Sequence, residues 1–114
     1  MKSITVKDIS ESLGLKVLCC TAGLHTTVTG GYVSDLLSDV MGNAEAGEIW
    51  ITLQAHLNVV AIASLKELAA VVLVNDIHPG EEVIAKAKEE GIPVLVAVAP
   101  AFEVAGKVYH MLYD

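Results

Sequence analysis

Apolar residues recur along the chain at helical spacing in some segments and in continuous runs in others. A capping-box pattern at Thr5 and Asp8, followed by apolar residues three or four positions apart, predicts a short helix over 5–13. Gly14 is a typical helix stop. A first short strand is expected over 15–19.

The next part of the chain is more polar and carries a double glycine. Residues 21–29 are predicted to be mostly loop, with a strand beginning near Thr27 that Gly30-Gly31 interrupts. Ser34 is a good N-cap, so a helix is expected over 35–42.

From residue 48 onward the pattern becomes a regular alternation of strands and helices. The predicted strands are 48–53, 70–74 and 92–99, and the predicted helices are 56–68, 81–90 and the segment after Pro100. Apolar strands joined by short crossovers are typical of a parallel sheet with right-handed connections. The sequence therefore predicts a single α/β domain over 1–114, three-layered, with a mainly parallel sheet flanked by helices in the order β-α-β-α-β-α.

Composition and charge narrow the classes of partner. The net charge is −7, with seven lysines and no arginine, which disfavours nucleic acid because binding there depends on a cationic surface. The 54% hydrophobic content indicates surface covered by a second copy, although a buried parallel sheet explains it as well. The uncharged run 49–65 is short for a membrane span, and no signal-peptide pattern opens the chain, so a cytoplasmic protein is expected.

Polar residues follow the predicted strands where the carboxyl ends of a parallel sheet meet, which is where ligands bind in open α/β sheets. The candidate ligand-binding residues are Thr29, Gly30, Gly31, Ser34, Asp35, Thr52, Gln54, His56 and Asn75. The segment 29–31 suits a nest for a small anion or nucleotide before a helix start, or else a tight bend or bulge in a strand.

Patterns that carry catalysis or bind metals are missing from the sequence. The adjacent cysteines Cys19-Cys20 lack the spacing of a redox or metal motif and are interpreted as buried thiols at a strand end. Neither the four histidines nor the serines stand in a zinc or nucleophile-elbow pattern. We therefore expect no catalytic residue, no metal and no cofactor.

One stretch resembles a known family. Residues 25–41 read HTTVTGGYVSDLLSDVM and resemble the signature of DRTGG domains, and 50–58 resembles the family's next block. The Thr-Gly-Gly part stands at 29–31, whereas His25-Thr26 replaces the Asp-Arg that gives the family its name.

The resemblance implies a stand-alone regulatory domain, frequently dimeric, with a fold similar to the N-terminal domains of HPr kinase/phosphorylase and of Mur ligases. DRTGG domains occur beside CBS domains in regulated pyrophosphatases, where adenine dinucleotide polyphosphates bind at the CBS domains. They also occur at the N-terminus of some phosphotransacetylases.

The expected function is therefore a homodimeric regulatory module that senses a small nucleotide-like ligand at the sheet rim. A pure protein-interaction domain without a ligand, which docks on a separate enzyme or kinase, is the first alternative. A weak phosphoryl-transfer or redox enzyme is the second.

Overall fold

The computed structural model describes residues 3–114. The helices are α1 (Val6–Leu13), α2 (Leu37–Asn43), α3 (Leu57–Leu65), α4 (Glu81–Glu90) and α5 (Ala101–Tyr113). The strands are β1 (Ile4–Thr5), β2 (Lys16–Val17), β3 (Thr27–Val28), β4 (Gly30–Val33), β5 (Glu48–Thr52), β6 (Ala70–Leu73) and β7 (Val94–Val96). A short 3-10 helix covers Thr21–His25.

The central sheet has the strand order β2-β7-β6-β5-β4. Strands β4 to β7 are parallel, and β2 joins β7 antiparallel at one edge. Strands β1 and β3 form a separate antiparallel pair. The predicted α/β fold with a mainly parallel sheet is confirmed.

Helices cover both faces of this sheet. The chain moves one strand at a time from β4 to β7, so right-handed crossovers place α2, α3 and α4 on one face, where Trp50, Val71 and Leu73 point. Helices α1 and α5 pack on the other face against Ile51 and Val72. Because α5 follows the last parallel strand, it returns across this second face to β4.

Local signals set several of the predicted boundaries. The Thr5 hydroxyl accepts a hydrogen bond from the Asp8 amide at 3.2 Å, and the Asp8 carboxylate accepts one from the Thr5 amide at 2.9 Å. Gly14 ends α1 with φ 64°, and Gly91 ends α4 with φ 70°. Both are the left-handed conformation that glycine adopts at little cost.

Two predictions about the double-glycine region are wrong. Gly30 and Gly31 do not interrupt a strand but form the first half of β4, paired with β5. The helix predicted over 35–42 begins at Leu37, and Ser34 is not its cap. The Ser34 hydroxyl instead accepts a hydrogen bond from the Leu36 amide at 3.1 Å, in the turn that ends β4.

No helix within residues 3–114 has the length and apolar character needed to cross a bilayer.

Candidate functional site

Asp35 lies at the centre of a hydrogen-bonded cluster where β4 and β5 end. Its Oδ1 accepts hydrogen bonds from the Thr52 hydroxyl and from the Leu53 amide, both at 2.8 Å. The Gln54 side chain donates to the Asp35 carbonyl at 3.1 Å, and the Gln54 amide donates to the Thr52 hydroxyl, also at 3.1 Å. This cluster therefore already satisfies much of its own hydrogen-bonding capacity.

Ser34 joins the same edge through its backbone. The Trp50 indole donates to the Ser34 carbonyl at 2.8 Å, and the Ser34 amide donates to the Ile51 carbonyl at 3.3 Å. Parallel pairing of β4 with β5 places the ends of both strands side by side. The structure thus brings Ser34, Asp35, Thr52 and Gln54 together, and their role in ligand binding stays a prediction.

Tyr32 and Asp39 form a second polar contact beneath this edge. The Tyr32 hydroxyl donates to Asp39 Oδ1 at 2.9 Å, and the Asn43 side chain donates to the same oxygen at 3.0 Å. Hydrogen bonding by Ser34, by Tyr32 and by Asn43 holds the pKa of the Asp39 carboxyl below its ordinary value of 3.8. The same carboxylate raises the pKa of Tyr32.

Replacing Tyr32 with phenylalanine should raise the pKa of Asp39 towards 3.8, because one donor to the charged carboxylate is lost. A carboxyl whose pKa is lowered in the folded state stabilises the fold at pH values above its ordinary pKa. That stabilisation is lost as the pH falls through the lower pKa of the folded state. The variant should therefore lose less stability on acidification than the wild type. NMR titration of the Asp39 carboxyl measures the shift directly.

Tyr109→Phe is the matched control, since Tyr109 is an exposed tyrosine on α5, away from Asp39. An unchanged Asp39 titration in Tyr32→Phe would contradict the assigned role of the phenol.

His56 precedes α3 and leaves its side chain exposed. Its carbonyl accepts a hydrogen bond from the Val59 amide at 3.0 Å, which anchors the helix start. The imidazole caps no backbone group of α3. It is therefore available to an external group at the carboxyl end of β5.

Asn75 follows β6, and it is held in an unusual conformation together with its neighbour. Asn75 and Asp76 both have φ 57°, a left-handed conformation that costs a non-glycine residue about 1 kcal/mol or more. Their amides donate to the carbonyls of Ala99 at 3.1 Å and of Ala97 at 2.8 Å. These two bonds tie the loop after β6 to the segment after β7.

The chain leaves these two neighbouring strands towards opposite faces of the sheet. The loop after β6 leads to α4 on one face, and the segment after β7 leads to α5 on the other. Such a switch point opens a crevice in α/β sheets, and it is a usual place for ligands. A cavity of about 380 Å³ lies beside it, with walls that include Leu15 and Val104 and with Glu103 and Lys107 at its border.

Sequence reasoning missed this cavity. Its volume falls within the range of about 300–1,000 Å³ typical of small-molecule pockets. To predict it, one must know on which face of the sheet α5 packs. The spacing of apolar residues in α5 does not indicate that face.

Thr29 and Gly30 lie at the opposite end of β4 from Ser34, which corrects the prediction of one shared rim. The Thr29 hydroxyl donates to the Ala46 carbonyl at 3.0 Å, and Gly30 pairs with Glu48 at the amino start of β5. Five residues of extended chain, about 16 Å, separate Thr29 from Ser34. The glycines form no nest before a helix because β4 pairs with β5 along its whole length. Gly31 lies within the same strand.

His25 and Thr26 are the residues at which the sequence departs from the DRTGG signature that it resembles. Both are exposed at the end of the 3-10 helix, and the Thr26 carbonyl accepts a hydrogen bond from the Val6 amide at 3.0 Å. That bond joins this segment to the start of α1 at a distance from the carboxyl edge.

Cys19 and Cys20 are free thiols between β2 and the 3-10 helix, with their sulfurs 3.1 Å apart. Cys19 is buried and donates to the Ile92 carbonyl at 3.5 Å, and Cys20 donates to the Ala87 carbonyl at 3.4 Å. Burial, together with the hydrogen bond to Cys19, raises the pKa of Cys20 to about 12. Cys19 is thus buried, as interpreted from the sequence, whereas Cys20 is only partly buried.

The fold of this chain is similar to that of a solved structure, although its sequence matches no known family. No family model matches the chain, and no curated protein matches it. Among solved structures, it is similar to the CBS and DRTGG domains of the regulatory region of Clostridium perfringens pyrophosphatase, complexed with the activator diadenosine tetraphosphate. The TM-score is 0.73 at 14% identity, over 90% of this chain and 44% of that one. The chain spans less than half of that region, and the likeness shows the fold alone.

Proposed function

We propose that this protein is a regulatory module that associates with a second copy and senses a small nucleotide-like ligand at the carboxyl edge of its sheet. The surface of that edge is the observation that carries the proposal. Leu36, Leu53 and Leu57 are exposed in the segments that follow β4 and β5, and His56, next to Leu57 in the chain, is exposed as well. An apolar surface with a few placed polar groups is the usual composition of a small-molecule site. The planar base of a nucleotide suits such a surface.

The rigid floor of this edge supports the same proposal. The bonds centred on Asp35 fix the turn after β4 and the segment after β5, so the exposed leucines and His56 project from a preorganised backbone. Preorganisation lowers the entropy lost on binding. The pyrophosphatase region of similar fold was crystallised with a dinucleotide activator, which makes adenine nucleotides the first class to test.

A thermal-shift screen tests the ligand. AMP, ATP and diadenosine tetraphosphate are added to the purified protein with and without Mg²⁺. A ligand at 100 times its dissociation constant stabilises the fold by about 2.7 kcal/mol, which raises the melting temperature by several degrees for a domain of this size. We expect a shift with at least one adenine nucleotide.

Three variants locate the site. His56→Ala should abolish the shift, whereas His110→Ala, which alters an exposed histidine on α5, should keep it. Loss of the shift in Lys107→Ala but not in His56→Ala would instead place the ligand site in the cavity beside the segment after β7, called here the switch-point cavity. No shift with any nucleotide would contradict the ligand-sensing proposal.

A pure interaction domain is the second candidate. The polar groups of Asp35, Thr52 and Gln54 already bond to one another, while Val98 and Phe102 are among the most exposed large apolar side chains. Binding rather than catalysis is proposed in both cases. An enzymatic activity that is lost in His56→Ala and kept in His110→Ala would contradict the proposal that the protein binds rather than catalyses.

A further inference from the structure

Helix α5 has a wider apolar surface than the core uses. At about 100° per residue, its uncharged arc runs from Met111 round to Gly106 and spans about 220°. The charged and titratable positions, Glu103, Lys107 and His110, lie together on the remaining arc. A helix that packs on a core from one side needs an apolar stripe of roughly 100°.

The buried positions account for less than half of that arc. Val104, Val108 and Leu112 are buried against the sheet and span about 80°. Beyond them lies the side of α5 that faces β4, called here the flank of α5. On this flank Tyr109 is 64% exposed and Phe102 is 90% exposed. Aromatic side chains are concentrated at the energetic centres of protein interfaces, so this flank has the composition of an interface.

The flank continues onto the open edge of the sheet. A groove of about 170 Å³ lies between α5 and β4, lined on the strand side by Gly31 and Val33 and on the helix side by Tyr109 and Tyr113. The two tyrosine rings pack against each other with centroids 4.6 Å apart. The flank of α5 and the side of β4 that faces it therefore form one uncharged surface.

Strand β4 is an edge strand with unused backbone groups. The Ser34 amide bonds to the Ile51 carbonyl, which directs alternate residues of β4 towards β5. By the same alternation, the N–H and C=O groups of Gly31 and Val33 point away from β5. An exposed edge of this kind is a template for pairing with another strand.

Charge decides which partner fits this surface. Each copy carries a net charge of −7, so two copies repel except where the facing surfaces lack carboxylates. The flank of α5 and the Gly31–Val33 side of β4 that faces it meet this condition, whereas the carboxylates of Glu48 and Asp39 lie beside the other face of β4. A basic partner would need acidic groups there, and the flank has none.

Size sets a second condition on the partner. A standard interface takes about 800 Å² from each partner, a disc roughly 32 Å across. The molecule measures 36 × 28 × 25 Å, and α5 alone is about 20 Å long. A stable dimer would therefore use most of one side of the molecule, with α5 and the β4 edge at its centre.

We infer that α5 and the β4 edge form a two-fold interface with a second copy of this chain. The β4 strands run antiparallel across the axis and join two sheets into one. The two α5 helices then lie on the same face of the joined sheet and pack through Phe102, Tyr109 and Tyr113, with Gly106 allowing close approach. This inference rests on the association proposed above and specifies its surface.

Light scattering over a range of concentrations tests the interface. The wild type should show twice the chain mass of 12.0 kDa. Tyr109→Glu and Phe102→Glu should each raise the dimer dissociation constant by roughly 30-fold or more, because a carboxylate is placed in an apolar contact. Leu65→Glu is the matched control: Leu65 on α3 is 66% exposed, close to the 64% of Tyr109, but lies on the other face.

Amide hydrogen exchange on the wild type gives a readout that needs no variant. The Gly31 and Val33 amides should exchange more slowly as the protein concentration rises. A wild type that stays monomeric would overturn both this inference and the proposed association. A dimer that survives both glutamate variants, with concentration-independent exchange at Gly31 and Val33, would overturn the interface alone.

Discussion

Replacing Trp50 with alanine should lower the free energy of unfolding by about 3–5 kcal/mol. Trp50 is fully buried in β5 against the layer formed by α2, α3 and α4. Its removal leaves a cavity and deprives the Ser34 carbonyl of its indole donor at 2.8 Å. Small domains are stable by about 5–15 kcal/mol, so this loss would remove much of the total.

Urea unfolding followed by far-ultraviolet circular dichroism measures the effect, since Trp50 is the only tryptophan and its fluorescence is lost in the variant. Trp50→Phe should lie between the variant and the wild type, because it keeps most of the packing and loses the hydrogen bond. Leu65→Ala, at an exposed position, should stay within about 0.5 kcal/mol of the wild type. A loss below 1 kcal/mol in Trp50→Ala would contradict the central position of this side chain.

Replacing Asp35 with alanine should lower the free energy of unfolding by about 2 kcal/mol. Its carboxylate accepts from the Thr52 hydroxyl and the Leu53 amide, and Thr52 is buried, so the hydroxyl would lose its acceptor away from water. Hydrogen bonds to charged groups contribute more than neutral ones, although the exposure of Asp35 reduces the effect.

Asp35→Asn separates charge from geometry. The amide oxygen can still accept the two hydrogen bonds, so we expect about half of the loss seen with alanine. Glu103→Ala removes an exposed carboxylate on α5 and should change the unfolding midpoint little. Equal losses in Asp35→Asn and Asp35→Ala would mean that the charge, rather than the accepting oxygen, stabilises this edge.

The Asp35 variants also bear on the proposed ligand site. If the cluster around Asp35 positions the exposed leucines and His56, then Asp35→Ala should weaken nucleotide stabilisation even though Asp35 itself need not touch the ligand. Asp35→Asn should retain more of it.

Elements with strong local signals were predictable from the sequence alone. The helix over 81–90 agrees with α4 at both ends, because its apolar spacing and the glycine at its end act within one turn. The capping box at Thr5 and Asp8 likewise defines the start of α1. The apolar runs identified β5 and β6 to within a residue, and their order along the chain implied the parallel sheet.

Tertiary structure decided the features that depend on distant partners. Gly30 and Gly31 become strand residues because β5 pairs with them, and Ser34 loses its capping role because Asp35 turns towards Thr52. The side of the sheet on which α5 packs creates both the switch-point cavity and the exposed flank beside β4. Helical periodicity shows that α5 is apolar over a wide arc. Only its packing shows which part of that arc the core covers, because burial depends on neighbours far away in the sequence.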